Sequence, residues 1–230
     1  MAQDEALAVL THRLDYTFKN EALLTEALTH RSAASINNER LEFLGDGILN
    51  FIIAARLFDQ YRDMQEGDLS RLRASLVNKD SLADIAKQLE IGRFIQLGSG
   101  ELKSGGRRRD SILADAVEAV FGAVYLDSGF ETCRDLILRL YDDKLQNVPD
   151  VQTLKDSKTS LQELLQSRRF PLPVYTVLEV SGKAHNQMFT VECSIEELEC
   201  ITTAQGKSRR KAEQAAAKLA IEEVSRKIAS

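Results

Sequence analysis

The stretch NERLEFLGDGILN, Asn38 to Asn50, has the rhythm of a helix and carries residues that a helix ordinarily avoids. Glu39, Glu42 and Asp46 stand among Leu, Ile and Phe, while Gly45 and Gly47 each cost about 1 kcal/mol relative to Ala in a helix interior. At ~3.6 residues per turn the spacing of the three acids puts them on one face. Leu41, Leu44, Ile48 and Phe51 project from the opposite side, so the helix is expected to bury that apolar stripe and present an acidic one. Phe43 lies close to the acidic side. An aromatic there has no core to enter unless another element or another chain covers it.

The surrounding chain supplies the context for such a helix. At 230 residues, 43% of them apolar, the chain is comfortable for two domains with cores of their own. The opening MAQDEALAVL brings two acids before any apolar run, and no stretch approaches the ~18 apolar residues of a membrane span, so a cytoplasmic protein without membrane attachment is expected. Cys133, Cys193 and Cys200 are odd in number and lack CxxC spacing, which argues against a disulfide framework or a zinc site and fits a reducing compartment. The net charge of -5 conceals a segregation: residues 155–230 hold 12 Lys and Arg against 10 Asp and Glu, leaving 18 against 25 in residues 1–154. Lys207 to Lys211, KSRRK, gathers four cations at the expected start of a helix.

From Ala6 to about Leu145 the pattern is helical nearly throughout, punctuated at Gly67–Asp68, at LGSGELKSGGRRRDS and at DSGF. A second acid-bearing helix is expected in DSILADAVEAVFGAVYLDSG, with Asp110 and Ser111 as N-cap oxygens and Gly129 as a C-terminal stop. Leu113, Val117, Val120 and Val124 form its apolar stripe. Asp115 and Glu118 share another side with the small residues Ala119 and Gly122. The polar stretch NVPDVQTLKDSKT reads as a linker. Beyond it come a helix near Thr159–Arg168, three β-rich runs (VYTVLEVSG, QMFTVECSI, LECITTAQ) and a final helix from about Ser208 that turns Ala212, Ala215, Ala216, Leu219 and Val224 inward. The expectation is an all-α domain over residues 1–147, a linker over 148–156 and a small α+β domain of order α-β-β-β-α over 157–227.

Carboxylates gathered in a helical core repel one another unless they are protonated or paired. A divalent metal resolves the conflict, and oxygen-only ligation without His or Cys suits Mg²⁺, with Mn²⁺ as a substitute, rather than Zn²⁺. Two such ions ~3.5–4 Å apart can activate water and stabilise a leaving oxygen in phosphodiester hydrolysis. The glycines then serve close helix–helix approach, bringing Glu42, Asp46, Asp115 and Glu118 to shared metal. The same spacing is also what a solvated acidic face carries. Glu39 doubles as an acid favoured at a helix N-terminus, and Glu66 and Asp68 as turn and cap residues.

The glycine-rich loop before the second acidic helix offers Lys103 and Arg107 to Arg109 to phosphate, or is simply exposed. It does not match the P-loop pattern, which leaves no nucleotide cofactor. His12, His30 and His185 show no triad or metal spacing. In the C-terminal part, Lys207, Ser208, Arg209, Arg210 and Lys211 offer backbone N–H groups, the positive helix end and cations to phosphates. The preceding helix with Gln162 and the SGKAHNQ loop with His185 can touch neighbouring minor grooves, the geometry by which double-stranded RNA is read. Charge alone does not separate RNA from DNA.

NERLEFLGDGILN looks like the signature motif of the ribonuclease III family, and LTHRS, EGDLSRLRASLV, GELKSGG, SILADAVEAVFGAVYLD and GKSRRKAEQAAA follow in that family's order. Over nearly all its length the chain resembles bacterial members of this family of double-stranded-RNA-specific endoribonucleases. The resemblance implies that Glu42, Asp46, Asp115 and Glu118 are the metal and catalytic carboxylates and that Glu39 and Glu66 help position RNA. It implies a homodimer of the helical domains, in which Phe43 serves as an interface plug, and products with 5′-phosphates and short 3′ overhangs. Precursors of ribosomal RNA and structured messenger RNA are the implied substrates; a decayed, non-catalytic duplex-RNA-binding regulator is the alternative. Two departures stand out: Gly47 where relatives often have Ser or Ala, and Glu213 where many double-stranded-RNA-binding domains have Lys.

Overall fold

The computed structural model describes residues 2–183 and 187–229. The chain divides between Val151 and Gln152 into two compact units.

The first unit is built from helices α1 (Ala2–Leu14), α2 (Glu21–Ala27), α3 (Glu39–Gln60), α4 (Glu66–Leu76), α5 (Lys79–Gln88), α6 (Ser99–Lys103), α7 (Asp110–Leu140) and α8 (Asp142–Gln146). Short 3-10 turns occupy Ile91–Arg93 and Gly106–Arg108. The β content of this unit, among the described residues, is one isolated bridge from Thr29 to Gln96. Helix α7 is the axis on which α2, α3 and α5 pack. Its middle is apolar on nearly every side, and Leu113, Val117, Val120 and Val124 are all buried as their spacing predicts.

The crossing of α3 with α7 is made by glycine. A Cβ on Gly45 would stand 1.8 Å from the carbonyl oxygen of Glu118, and one on Gly122 would stand 2.3 Å from that of Leu41. Backbone therefore packs on backbone, at a separation no side chain permits. Gly47 takes no part: a Cβ there would meet nothing within 4 Å, so close approach rests on Gly45 and Gly122 rather than on the Gly45–Gly47 pair. This crossing also rotates α3 away from its expected stripe. Leu41, Leu49, Ile52, Ile53 and Leu57 are buried, whereas Leu44 and Ile48 are half-covered and Phe51 is 62% exposed.

Three terminus signals resolve differently from expectation. Helix α7 follows Arg109 as its N-cap, without a side-chain cap bond, because Asp110 instead pairs with Lys87 at 2.8 Å. Gly129 takes φ 82° and kinks α7, but the chain resumes its helix as far as Leu140. Gly67 and Asp68 lie inside the first turn of α4, where Asp68 pairs with Arg71.

A one-turn helix α9 (Val151–Leu154) precedes α10 (Ser157–Ser167), β1 (Val174–Ser181), β2 (Met188–Ile195), β3 (Cys200–Gly206) and α11 (Arg209–Ala229). The Asp156 carboxylate caps α10, accepting from the backbone N–H groups of Lys158 and Thr159 at 3.0 and 3.3 Å. The strands form an antiparallel sheet in the order β1-β2-β3, with Tyr175, Cys193 and Thr202 in line across it. Cys193 and Ile195 of β2 and Cys200 of β3 point into a core shared with Leu161 and Leu165 of α10 and Ala216, Ala217, Ala220 and Val224 of α11, and Val191 is buried as well. The inward stripe of α11 is thus shifted from expectation. Leu219 is 44% exposed, and the alanines at 217 and 220 let the helix lie close on the sheet. All three cysteines are buried and unpaired.

Candidate metal centre and nucleic-acid interface

The glycine crossing sets the acids of the two helices against each other. Glu42 of α3 and Asp115 and Glu118 of α7 each offer a carboxylate oxygen within 4.8 Å of the others, in a half-buried setting. Asp46 lies one turn along α3 from Glu42, close enough for its charge to act on Glu118, but its Oδ1 accepts a 2.8 Å hydrogen bond from Asn50 Nδ2. The donor set is hard oxygen, it converges from two helices, and it carries more negative charge than the protein offsets. Lys79, at the start of α5, brings its ammonium only to 3.8 Å from Asp115. These features fit a divalent cation.

The electrostatics record the same crowding. Burial, reinforced by the charges of Asp46, Glu42 and Asp115, pushes the Glu118 carboxyl up to about 8. Burial and then Asp115 raise Glu42 as well, with Lys79 opposing. A carboxyl whose folded pKa lies above its ordinary value binds more protons in the folded than in the unfolded chain. Its contribution to stability is therefore full below about 4.5 and is lost as pH rises toward about 8. Thermal melts of metal-free protein should show Glu118→Gln gaining on the parent across that window, and added Mg²⁺ should close the gap. A difference independent of pH would contradict the crowding.

Around this cluster, Glu39 sits at the N-terminus of α3, exposed and paired with Arg31 at 3.3 Å. Glu66 opens α4, also exposed, and accepts from Ser70 Oγ at 2.7 Å. Lys103 ends α6 and Arg107 lies in the following 3-10 turn, both exposed. Their segment is folded rather than a loose loop: Arg109 donates to Glu101 at 2.8 Å and to Ser104 Oγ at 3.1 Å, and Gly92 packs against the carbonyl of Arg107. Phe43, at 84% exposure, lines the edge of a mostly apolar hollow of about 380 Å³ together with Leu44, Ile48, Phe51, Tyr125 and Phe130, with Asp46 and Gly47 also on its wall.

In the second unit, Lys207, Ser208, Arg209, Arg210 and Lys211 are all exposed at the start of α11. Ser208 Oγ accepts the Lys211 backbone N–H at 3.3 Å, so it is also a cap. Gln162 is exposed on α10, and His185 lies outside the described residues. Sequence reasoning missed Lys79, whose approach to Asp115 is a tertiary contact with no local marker. It also missed the lining of the hollow beside Phe43, where Tyr125 and Phe130 come from a distant helix.

A helical unit with a convergent acid cluster, joined to an α-β-β-β-α unit with a basic helix start, defines a nuclease that carries its own duplex-RNA reader. The comparisons agree. Residues 20–145 match a family model described as ribonuclease-III-like, and residues 157–224 match one described as a double-stranded RNA binding motif. The chain is 59% identical to Ribonuclease 3 of Bordetella petrii over 218 residues, 94% of this chain and 86% of that protein. It is 54% identical to Ribonuclease 3 of Vibrio cholerae over 215 residues, 94% of this chain and 96% of that protein. Among solved structures, the nuclease domain of a Campylobacter jejuni ribonuclease III is similar at a TM-score of 0.59 and 46% identity, covering 60% of this chain and 98% of its own. The chain belongs to the ribonuclease III family and is an endoribonuclease of double-stranded RNA. No helix among the described residues is long and apolar enough to cross a membrane.

Proposed function

We propose that Glu42, Asp46, Asp115 and Glu118 hold Mg²⁺, or Mn²⁺ in its place, and that the chain cuts both strands of duplex RNA as a homodimer, leaving 5′-phosphates and short 3′ overhangs. The observation that carries this reading is the convergence of Glu42, Asp115 and Glu118 across the Gly45–Gly122 crossing. When bound, such an ion supplies water activation and charge stabilisation at the leaving oxygen. The protein's own part is to hold oxygens of fixed direction on two rigid helices. Without a cation Glu118 retains its proton at neutral pH, since burial and neighbouring charge disfavour its anion.

Glu39 and Glu66, each exposed at a helix N-terminus, are assigned to positioning RNA at the cleavage groove. Lys103 and Arg107 are assigned to its phosphates. Gln162, His185, Lys207, Ser208, Arg209, Arg210 and Lys211 are assigned to duplex recognition in the second unit. The exposure of Phe43 beside an apolar hollow supports a two-fold interface; the Campylobacter jejuni nuclease domain is described as having a region involved in dimer formation. A cytoplasmic role on ribosomal RNA precursors and structured messenger RNA follows from the same family reading. Family membership and the assembled cluster stand against the non-catalytic alternative.

The test is cleavage by the purified full chain of a long RNA duplex, the matching single strand and the matching DNA duplex, with Mg²⁺ or with chelator. Duplex RNA should be cut only with metal, to fragments carrying 5′-phosphates. Metal-independent cutting, or equal cutting of DNA, would overturn the reading.

A further inference from the structure

Glu213 is the misfit of the basic helix start. It is an acid two residues beyond Lys211, on a surface assigned to phosphates, and its side chain is only 11% exposed. Oε2 accepts from Lys158 Nζ of α10 at 2.6 Å, and Oε1 accepts from Arg209 Nε of α11 at 2.8 Å. The Lys158 ammonium also lies 4.4 Å above the ring centre of Tyr175 on β1. The neighbouring backbone is tied in as well: Lys158 N–H donates to Gln214 Oε1 of α11 at 3.3 Å as well as to the Asp156 cap. One carboxylate thus joins the two helices that carry the duplex contacts. Because it takes Arg209 through Nε, the terminal amino groups of that guanidinium are left to other partners.

We propose that Glu213 is a positioning residue for duplex-RNA binding: it clamps Lys158 of α10 to Arg209 of α11, fixing the spacing of the two RNA-facing helices and the aim of the Arg209 guanidinium. The proposal rests on the duplex contacts assigned above to α10 and the start of α11. A Lys here would face Lys158 and Arg209 across the same small space, so this unit has no use for the cation found at this position in many relatives of the motif.

The clamp and plain electrostatics predict opposite signs. If Glu213 were only a negative charge near phosphates, removing it would tighten binding. If it is a clamp, removing it loosens the two helices and weakens binding although the surface has become more positive.

The experiment measures anisotropy of a labelled RNA duplex with the full chain in chelator, so that nothing is cut, across a range of salt. Glu213→Gln should bind about tenfold more weakly than the parent, with the dependence of log K on log salt unchanged, because no phosphate contact has been removed. Glu213→Asp keeps the charge but is too short to reach both partners. It should also bind more weakly, whereas the repulsion account gives it parental affinity; it serves as the deciding variant if melts show that Glu213→Gln fails to fold. Lys211→Gln, by contrast, should reduce the salt slope by about one.

Parental or tighter binding by folded Glu213→Gln, or parental binding by Glu213→Asp, would overturn the clamp. If Lys207→Gln and Lys211→Gln both leave affinity and slope unchanged, the failure lies instead with the assigned contacts, and the clamp falls with them.

Discussion

Glu118→Gln should bind duplex RNA as the parent does and cut it more slowly by on the order of 10²–10³-fold, the size of loss seen when one group that stabilises a developing charge is removed. The substitution keeps the shape of the side chain, and it leaves the Glu118 carbonyl, against which Gly45 packs, in place. What it removes is the negative charge of one of three carboxylates converging from α3 and α7, leaving a neutral amide that binds a hard cation poorly. Affinity for the divalent ion should fall, and this can be read directly by titrating Mn²⁺ into metal-free protein and following the signal of the free ion. Duplex affinity, which we assign mainly to the basic start of α11 in the other unit, should survive. Saturating enzyme in a single turnover separates the two effects. Recovery of rate at high metal would assign the loss to occupancy, and parental rates in ordinary Mg²⁺ would show that Glu118 is not a ligand.

Asp115 and Glu118 were legible as neighbours because acids three residues apart share a helix face and α7 obeys a simple period. On α7, Leu113, Val117, Val120 and Val124 all enter the core, which fixes the direction of Asp115 and Glu118. Helix α3 was less legible because its apolar residues wrap more than half of its circumference. Two overlapping stripes are then available, and the glycine crossing selects the one through Leu41, Leu49 and Leu57. The stripe through Leu44, Ile48 and Phe51 is left at the surface, which is where a second chain would need it. Asp110 has the composition of an N-cap, yet Lys87, distant in sequence, claims its carboxylate. Asn50, four residues after Asp46, was in plain view as a hydrogen-bond donor, and its grip on Asp46 is a local competitor that helical spacing alone does not weigh. In the second unit, Glu213 read only as a departure from Lys because Lys158, 55 residues away in sequence, meets it only after folding.

Phe43→Asp should convert the protein to monomers and greatly reduce cleavage. Phe43 projects from the side of α3 that also carries Asp46 and Gly47, almost wholly exposed, at the edge of a hollow whose wall is braced by the edge-to-face pair Phe51 and Phe130, with ring centres 5.8 Å apart. In a two-fold assembly the same patch is used twice, so each Phe43 can enter the hollow of the other copy. Burying a Phe side chain from water is worth ~1.5–3 kcal/mol, and the symmetric pair counts it twice. An aspartate at this position would have to lose its hydration against Leu44, Ile48 and Tyr125 with no cation to meet it, a cost that exceeds the gain it replaces. Phe43→Leu should fall between, keeping an apolar plug of smaller size. Sedimentation velocity over a concentration series gives the state of each variant, and cleavage of the same duplex gives its activity. Separated copies would each keep an acid cluster but would no longer present two of them to one duplex, so coordinated cutting of both strands should be lost first. A Phe43→Asp protein that sediments as the parent does would place the interface elsewhere on the surface.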